Sequence, residues 1–281
     1  MINEVSNGIF ICGNANKVKN YANSYMSLVD SIIYIGGTKA PRGQGISYWQ
    51  NCLFKVEYPG TVFSTPSREY KFDYLNKELA LYFNGDLSAE SFGKASKFWL
   101  QLANPDGNIN SNYGYHVFHR PIKTKFGTIK NQWTYAKQQL LNDKDTRQAL
   151  IFISTPNVQF EGNKDFICTL NYVFNIDEHN YLNLTVNRRS QDLFFGLPYD
   201  YAFEFLLLYK MYNELKDVYT ELKIGSYTMF CNNIHIYDRN KETFENMLND
   251  YKNDNLILHN IIDHVDKNII NDYVLNKDFG N

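Results

Sequence analysis

The apolar residues change their spacing near residue 149, and this change limits the fold more than any other feature of the sequence. Before that point most apolar segments have helical spacing, whereas several later segments alternate as strands do. Predicted helices cover 18–33, 65–83, 88–103, 131–141, 198–215 and 241–251, and predicted strands cover 47–58, 149–154, 166–176, 181–188 and 226–237. Helices followed by strands around one apolar helix predict an α+β fold with a mostly antiparallel or mixed sheet, in a single domain over residues 1–281.

Two helix starts are predicted from local capping signals. Thr65 followed by Pro66 has the pattern of an N-cap and a first helical residue. We expect this helix to end at Gly85, since glycine commonly follows the last helical turn. Ser88 has the pattern of an N-cap for a second helix, which should continue through Trp99.

The charge composition excludes a broad nucleic-acid surface. The chain has 28 basic and 30 acidic side chains and a formal net charge of −2, whereas a duplex-binding protein needs an extended basic face. Only 7 of the basic residues are arginine and the other 21 are lysine. A bound anion would therefore be held by a few placed arginines.

The sequence contains no clear signal for secretion, membrane insertion or disulfide formation. The N-terminal residues have no basic region followed by a long apolar region, and no apolar run approaches the roughly 20 residues that span a bilayer. The four cysteines, Cys12, Cys52, Cys168 and Cys231, are far apart and form no CxxC pair. We therefore expect a cytoplasmic protein (in the host cytoplasm if it is viral), with no metal and no direct binding to membranes or nucleic acids.

Two local segments are candidates for chemistry, and each has a purely structural alternative. Arg188, Arg189 and Ser190 end a predicted strand ahead of a tight turn, so they are able to form an oxyanion or phosphate site. The same residues would equally form a salt-bridged strand exit. Cys168 is either a nucleophile or a small buried apolar residue, and local periodicity leaves both interpretations open.

The order of several motifs resembles the thymidylate synthase superfamily over about residues 36–240. The downstream motifs are Cys168, Arg189-Ser190-x-Asp192, Gly196-x-Pro198 and His235-x-Tyr237. The upstream motifs are Glu78-Leu79, Gly85-Asp86, Trp99 and Tyr113-Gly114. The resemblance implies a thymidylate synthase-like fold, with helices packed on one face of the sheet and two sheets back to back in a homodimer.

The resemblance also implies a reaction. One carbon passes from the cosubstrate 5,10-methylenetetrahydrofolate to C5 of a pyrimidine nucleoside monophosphate. Cys168 matches the nucleophile, whose thiolate adds to C6 and so activates C5. Glu78 matches the carboxyl group that organises water and moves protons, although a single glutamate is more often a helix-surface residue. Tyr113 and Asp200 complete the implied catalytic set.

The binding residues follow from the same resemblance. The nucleotide is expected to contact Arg42, Arg147, Arg189, Ser190, Asp200, His235 and Tyr237, and the folate is expected to contact Trp99, Asp192, Gly196 and Tyr199. The phosphate contacts among them are Arg42, Arg189 and Ser190. Arg147 resembles the arginine that the family donates across the dimer interface, so each site would need both subunits. His235 and Tyr237 match the pair that binds the sugar hydroxyl.

Asp200 departs from the synthase pattern and indicates the base. Thymidylate synthases have asparagine here, whose amide both donates to O4 and accepts from N3–H of uracil. A carboxylate only accepts, so it suits the N4 amino group of cytosine. The alternative is that Asp200 merely caps the helix that begins near Pro198. Aspartate here resembles the deoxycytidylate (dCMP) 5-hydroxymethylase branch, in which water instead of hydride captures the C5 methylene group.

Three further residues or segments depart from the synthase pattern. Thr169 replaces the usual histidine after the nucleophile and resembles hydroxymethylase-type variants, and residues 276–281 do not resemble the tail that closes over folate. Gln148 stands where a second cross-subunit arginine would be, which leaves the phosphate site with one charge fewer. Asp200, Thr169 and the C-terminal residues favour the hydroxymethylase interpretation. The alternatives are a thymidylate synthase-type methylase acting on dUMP, a CMP hydroxymethylase, and a non-catalytic nucleotide-binding protein.

Overall fold

The computed structural model describes residues 3–5, 8–12, 20–158 and 164–279. The strands are β1 (Asn3–Val5), β2 (Gly8–Cys12), β3 (Gly37–Lys39), β4 (Ile46–Val56), β5 (Thr61–Ser64), β6 (Ile122–Thr124), β7 (Gly127–Ile129), β8 (Leu150–Phe152), β9 (Thr169–Ile176), β10 (Tyr181–Arg188), β11 (Gln191–Asp192), β12 (Lys223–Tyr237) and β13 (Ile257–Asn260). The helices are α1 (Asn20–Ile35), α2 (Phe72–Asn84), α3 (Ala89–Ala95), α4 (Phe98–Leu102), α5 (Gln132–Asn142), α6 (Leu197–Leu215), α7 (Lys241–Lys252) and α8 (Ile261–His264). Within these described ranges, no helix has the length and apolar character needed to cross a membrane.

The chain divides into two compact units. Unit 1 comprises Met1–Tyr70, Thr185–Leu206 and Ile224–His264. Unit 2 comprises Lys71–Leu184, Leu207–Lys223 and Val265–Asn281. The assignment of a single domain to residues 1–281 stays a prediction.

Unit 1 is built on a mixed sheet whose long strands are β4 and β12. These two strands run antiparallel, from Tyr227 opposite Val56 to Tyr237 opposite Ile46. β2 joins β4 in parallel and β11 joins β12 in parallel, whereas β1 pairs with β2 and β3 pairs with β4 in antiparallel fashion. Helices combined with a mixed sheet confirm the predicted α+β class, while the back-to-back dimer stays a prediction.

Aromatic side chains fill the core of unit 1. Tyr21 of α1 stacks on Tyr201 of α6 with ring centroids 4.2 Å apart, and Tyr201 meets Tyr227 of β12 edge-on at 5.0 Å. All three rings are at most 1% exposed, and burying one such ring contributes roughly 2–3 kcal/mol. The first turns of α6, which carry Asp200, are therefore fixed against the sheet.

Unit 2 contains α2 to α5, the antiparallel pair β8–β9 and the separate hairpin β6–β7. α2 ends at Asn84, and the predicted stop residue Gly85 follows it with a φ of 69°, the left-handed conformation that favours glycine. The Asn112 side chain donates to the carbonyls of Leu81 at 3.1 Å and Asp86 at 2.7 Å. These two bonds tie the segment that leads into Tyr113 to the end of α2.

The predicted helix start at Thr65 is wrong, because Thr65 belongs to a tight turn. The backbone N–H groups of Thr65 and Arg68 donate to each other's carbonyls at 2.9 and 3.1 Å. The Thr65 hydroxyl also accepts from the Arg68 N–H at 3.1 Å. The threonine therefore caps a turn instead of a helix, and α2 begins only at Phe72.

Two further boundaries differ from the predictions. Ser88 caps α3, accepting from the Ser91 N–H, but α3 ends at Ala95 because Ser96 is extended, with φ −153° and ψ 130°. Trp99 therefore lies in the separate helix α4 and not in a continuous helix from Ser88. Cys168 was expected inside a strand, whereas β9 begins one residue later.

Candidate active site

The predicted site residues are divided between the two units. Unit 2 contains Glu78, Trp99, Tyr113, Arg147 and Cys168. Unit 1 contains Arg42, Arg189, Ser190, Asp192, Gly196, Tyr199, Asp200, His235 and Tyr237. The residues of each group thus share one compact body.

Glu78 lies on the buried side of α2, so the helix-surface interpretation of this carboxylate is wrong. The side chain is 5% exposed. The Tyr74 hydroxyl donates to Glu78 Oε1 at 2.6 Å, and Trp99 Nε1 donates to the Tyr74 hydroxyl at 3.3 Å. Tyr74, which the sequence analysis missed, therefore links two predicted site residues in one hydrogen-bonded chain. It sits one helical turn before Glu78, and that spacing is the signal from which it could have been found.

Tyr113 is buried against the same helix. Its ring lies 5.7 Å from that of Tyr82 in α2. A Cβ atom on the following residue, Gly114, would lie 2.0 Å from the Tyr82 carbonyl oxygen. Only glycine permits this close approach, so the Tyr113-Gly114 motif fixes the tyrosine against α2.

Cys168 is half-buried and lies directly before β9. The segment that carries it is held by Asp165, which is 4% exposed. The Asp165 carboxylate accepts from the N–H groups of Asn110 and Ser111, both at 2.7 Å, and from the Ser111 hydroxyl at 2.6 Å. Asp165 was not predicted, and no local spacing marks it, because its partners lie more than 50 residues away along the chain. These bonds fix the chain segment that directly precedes Cys168, the candidate nucleophile.

Arg147 and Gln148 are exposed in the loop between α5 and β8. An exposed arginine is accessible to a second subunit, but its donation across an interface stays a prediction.

In unit 1, one row of residues crosses four strands. Gly37 of β3 lies opposite Tyr48 of β4, Tyr48 opposite His235 of β12, and His235 opposite Asp192 of β11. The register therefore brings the predicted nucleotide residue His235 beside the predicted folate residue Asp192. His235 also packs perpendicular to Tyr237, with centroids 5.0 Å apart.

His235 has the character of a neutral hydrogen-bonding group. Burial lowers its pKa, and the charges of Lys39 and Arg189 lower it further, while Asp192 opposes them. The ring is therefore neutral at pH 7. Nδ1 is buried and has no hydrogen-bond partner among the described residues. A neutral imidazole with an unused ring nitrogen fits a sugar hydroxyl, which both donates and accepts.

Arg42 lies on a short loop that is attached to the end of β12. It is exposed, with a left-handed φ of 53° in the turn Pro41–Gly43. The Asp238 N–H donates to the Gly45 carbonyl at 3.0 Å, and a Cβ on Gly45 would lie 1.9 Å from Asp238 Oδ2. The loop therefore holds Arg42 close to the strand end that carries Tyr237. Arg189 and Ser190 are half-buried after β10.

The three unit 1 residues predicted to bind folate surround a tight loop. Asp192 accepts from the N–H groups of Phe194 at 2.9 Å and Phe195 at 3.2 Å. A Cβ on Gly196 would lie 2.7 Å from the Asp192 carbonyl oxygen. Tyr199 is buried, with its ring 5.0 Å from that of Tyr70. The Asp192 carboxylate therefore fixes the backbone of the loop that follows it. Its remaining lone pairs are available to accept from a ligand.

Asp200 binds side chains and does not cap α6. Its Oδ2 accepts from Arg188 Nη1 at 2.8 Å and from Gln191 Nε2 at 3.0 Å. The capping alternative is therefore wrong. For Arg188 the structure favours the salt-bridge interpretation over direct anion binding, because its side chain has no exposed surface.

A second carboxylate completes this buried cluster. Another nitrogen of Arg188 bonds Glu204 Oε1, and the Tyr227 hydroxyl donates to Glu204 Oε2 at 2.8 Å. Burial raises the pKa of Glu204 to about 7; Arg188 opposes the rise and Asp200 adds to it. Arg188 was a candidate from the sequence, whereas Glu204 and Tyr227 were not predicted as site residues. The available signal was a charged residue inside the otherwise apolar run of α6.

The sequence of the chain is similar to those of several known proteins. The sequence pattern of the protein family described as Thymidylate synthase matches residues 23–278. The deoxycytidylate 5-hydroxymethyltransferase of Enterobacteria phage T4 is 30% identical over 174 residues, which cover 59% of this chain and 68% of that protein, and the phage T2 enzyme matches equally. The thymidylate synthase of Buchnera aphidicola is 25% identical over 231 residues, which cover 78% of this chain and 80% of that protein.

Proposed function

The chain belongs to the thymidylate synthase family, and from this premise we propose that it is a dCMP 5-hydroxymethylase that uses 5,10-methylenetetrahydrofolate. The named relatives are one-carbon transferases that act on pyrimidine nucleotides, so the chain is an enzyme of that class. The proposal adds two points to this class: the base is cytosine, and water captures the C5 methylene group.

The observation that carries the choice of base is the environment of Asp200. Its Oδ2 accepts hydrogen bonds from Arg188 and Gln191, both donors. A carboxylate in this setting offers a substrate only acceptor atoms. Cytosine presents its N4 amino group as a donor, whereas uracil presents the acceptor O4 and would be repelled. The 30% identity with phage enzymes that act on deoxycytidylate supports the same base.

The chemical roles follow from the residues of unit 2. The half-exposed thiol of Cys168 would add as thiolate to C6, which makes C5 nucleophilic. The folate supplies the one-carbon unit. Glu78, buried and bonded to Tyr74, would hold and move a proton at the base. C5 would bond to the methylene carbon of the folate, lose its proton and release tetrahydrofolate. Water would then add to the C5 methylene group, and the Cys168 thiolate would leave C6 to give 5-hydroxymethyl-dCMP.

The binding roles are supported by charge and shape. Arg42, Arg189 and Ser190 would hold the phosphate, and the neutral His235 with Tyr237 would hold the sugar hydroxyl. For folate, α4 presents an apolar surface in which Phe98 is 56% exposed. A surface of this kind beside the half-buried Trp99 fits a flat aromatic ring. Asp192, Gly196 and Tyr199 are the other proposed folate contacts.

Dimerisation is part of the proposal. The exposed Arg147 would reach the phosphate site of a partner subunit in a homodimer, so each site would need both chains. Because the neighbouring Gln148 is uncharged, the partner's phosphate site would receive one arginine across the interface instead of two.

A methylase acting on dUMP is the second candidate, because the match to a thymidylate synthase extends over 231 residues. Of the C-terminal residues 276–281, Phe279 is buried and stacks on Phe118, with centroids 4.1 Å apart. The expected departure from the tail that closes over folate stays a prediction. Residues 280 and 281 lie outside the described residues.

The test measures tritium release from C5-labelled dCMP and dUMP in the presence of 5,10-methylenetetrahydrofolate. We expect release from dCMP without the absorbance of dihydrofolate, and no release by Cys168→Ala. Asp200→Asn should shift the preference toward dUMP. Release from dUMP alone, with dihydrofolate formation, would identify the methylase instead. No release from either nucleotide would favour a non-catalytic binding protein.

A further inference from the structure

A buried guanidinium lies between two carboxylates in unit 1. Arg188 Nη1 bonds Asp200 at 2.8 Å and Arg188 Nη2 bonds Glu204. Neither Arg188 nor Glu204 has exposed side-chain surface, whereas Asp200 is 14% exposed. The cluster thus has an inner end at Glu204 and an outer end at Asp200.

We propose that Arg188 is a positioning residue for base selection, which fixes the Asp200 carboxylate so that the substrate meets an acceptor-only group. This inference rests on the proposed function, since it assumes that Asp200 reads the base. Arg188 itself has no exposed surface and would act only through Asp200.

The hydrogen bonds divide the two oxygens of Asp200. Oδ2 accepts from both Arg188 and Gln191. Oδ1 accepts no hydrogen bond from any residue in the described ranges, which leaves it for the N4 amino group of cytosine. A fixed orientation matters because a recognition group must be held to within a fraction of an ångström of its working position.

Glu204 and Tyr227 hold Arg188 in place behind Asp200. The Tyr227 hydroxyl bonds the second oxygen of Glu204 at 2.8 Å, so both Glu204 oxygens are used. Buried ion pairs often contribute no more stability than apolar residues of similar size. A cluster of this kind at the base-reading residue is therefore better explained by specificity than by stability.

The test compares the ratio of kcat/KM for dCMP to that for dUMP, measured by C5 tritium release with the whole chain. Arg188→Lys keeps the positive charge but lacks the planar fork that reaches both carboxylates. We expect the ratio to fall about tenfold or more. Arg120→Lys, in unit 2, is the matched control and should leave the ratio unchanged.

A double-mutant cycle separates positioning from general damage. In an Asp200→Asn background, adding Arg188→Lys should change the ratio by less than about twofold, because the group on which Arg188 acts is gone. A folded Arg188→Lys protein with an unchanged ratio would overturn the proposal, whether activity is retained or falls equally for both nucleotides. This result would leave the proposed function standing if the wild type acts on dCMP.

Glu204→Gln provides a second measurement if Arg188→Lys does not fold. Arg188, Asp200 and Tyr227 are the titratable or charged groups that face Glu204. Because ionised Glu204 shares the guanidinium with Asp200, the wild-type preference for dCMP should decline between about pH 6 and 8, and Glu204→Gln should hold it constant. Equal pH dependence in both proteins would overturn the proposal. Wild-type activity on dUMP alone would overturn the proposed function instead.

Discussion

Replacing Glu204 with glutamine should remove a pH dependence from the folding stability of the protein. Glu204 is completely buried in α6, bonded to Arg188 and Tyr227. Burial raises its pKa from the ordinary 4.5 to about 7, although Arg188 opposes the rise. Glutamine keeps one acceptor oxygen for Arg188, and its NH2 group is able to donate to the Tyr227 hydroxyl, but it cannot ionise.

The size of the effect follows from the two pKa values. The pKa of Glu204 is about 7 in the folded chain and 4.5 in the unfolded chain. Because one pKa unit corresponds to about 1.4 kcal/mol, folding disfavours the ionised form of Glu204 by about 3 kcal/mol. Below pH 4.5 the group is protonated in both states and costs nothing. As the pH rises through about 7, it ionises in the folded state as well, and the full destabilisation applies. The contribution of Glu204 to stability is therefore present in acid and lost toward alkaline pH.

The assay is urea unfolding at about pH 5 and pH 8, followed by the fluorescence of the three tryptophans, of which Trp49 lies in unit 1. Relative to Glu204→Gln, the wild type should lose about 2.5 kcal/mol of unfolding free energy between the two conditions, because the unfolded chain is already mostly ionised at this position at pH 5. Glu245→Gln, which removes an exposed carboxylate of α7, should follow the wild type. If Glu204→Gln shows the same pH dependence as the wild type, Glu204 does not titrate in this range and the reasoning fails.

Two further predictions concern close contacts near the candidate site. Asp165→Ala leaves two buried N–H groups and the Ser111 hydroxyl without their acceptor, so unfolding free energy should fall by about 3 kcal/mol and C5 tritium release should fall with it. Asp165→Asn, which retains one acceptor oxygen, should lose less, and an alanine variant as stable as the wild type would contradict this account. Gly196→Ala places a Cβ 2.5 Å from Gln191 Nε2. The clash should lower the free energy of unfolding in urea by about 1–3 kcal/mol. It should also displace Gln191 from Asp200 and so reduce the ratio of kcat/KM for dCMP to that for dUMP. Wild-type values for both quantities would show that the loop relaxes without strain.

Much of the element order was predictable because periodicity is a local property. The predicted strand over 181–188 is β10, and the helix predicted over 198–215 begins one residue earlier, at Leu197. These segments have long, regular patterns of apolar residues. The failed start at Thr65 had only a two-residue signal, and the turn that uses Thr65 depends on the backbone of Arg68.

The candidate site was predictable in part. Motif order alone indicated the family and named Glu78, Cys168 and Asp200. It gave no signal for Asp165, whose hydrogen bonds span 54 and 55 residues of the chain. Such contacts depend on how distant segments pack, and a single sequence carries no direct record of that packing.

The sequence by itself determined the α+β class, the order of the motifs and the aspartate at position 200. The strand alternation of β10 also places Arg188 on the same side as the buried Val186, which marks it as a core-facing charge. Only the tertiary structure decided that this guanidinium joins Asp200 to Glu204. The partners lie 12 and 16 residues away, and they meet because α6 packs its aromatic face on the sheet. Periodicity specifies the face on which a side chain lies, whereas its partner is set by the packing of one element against another.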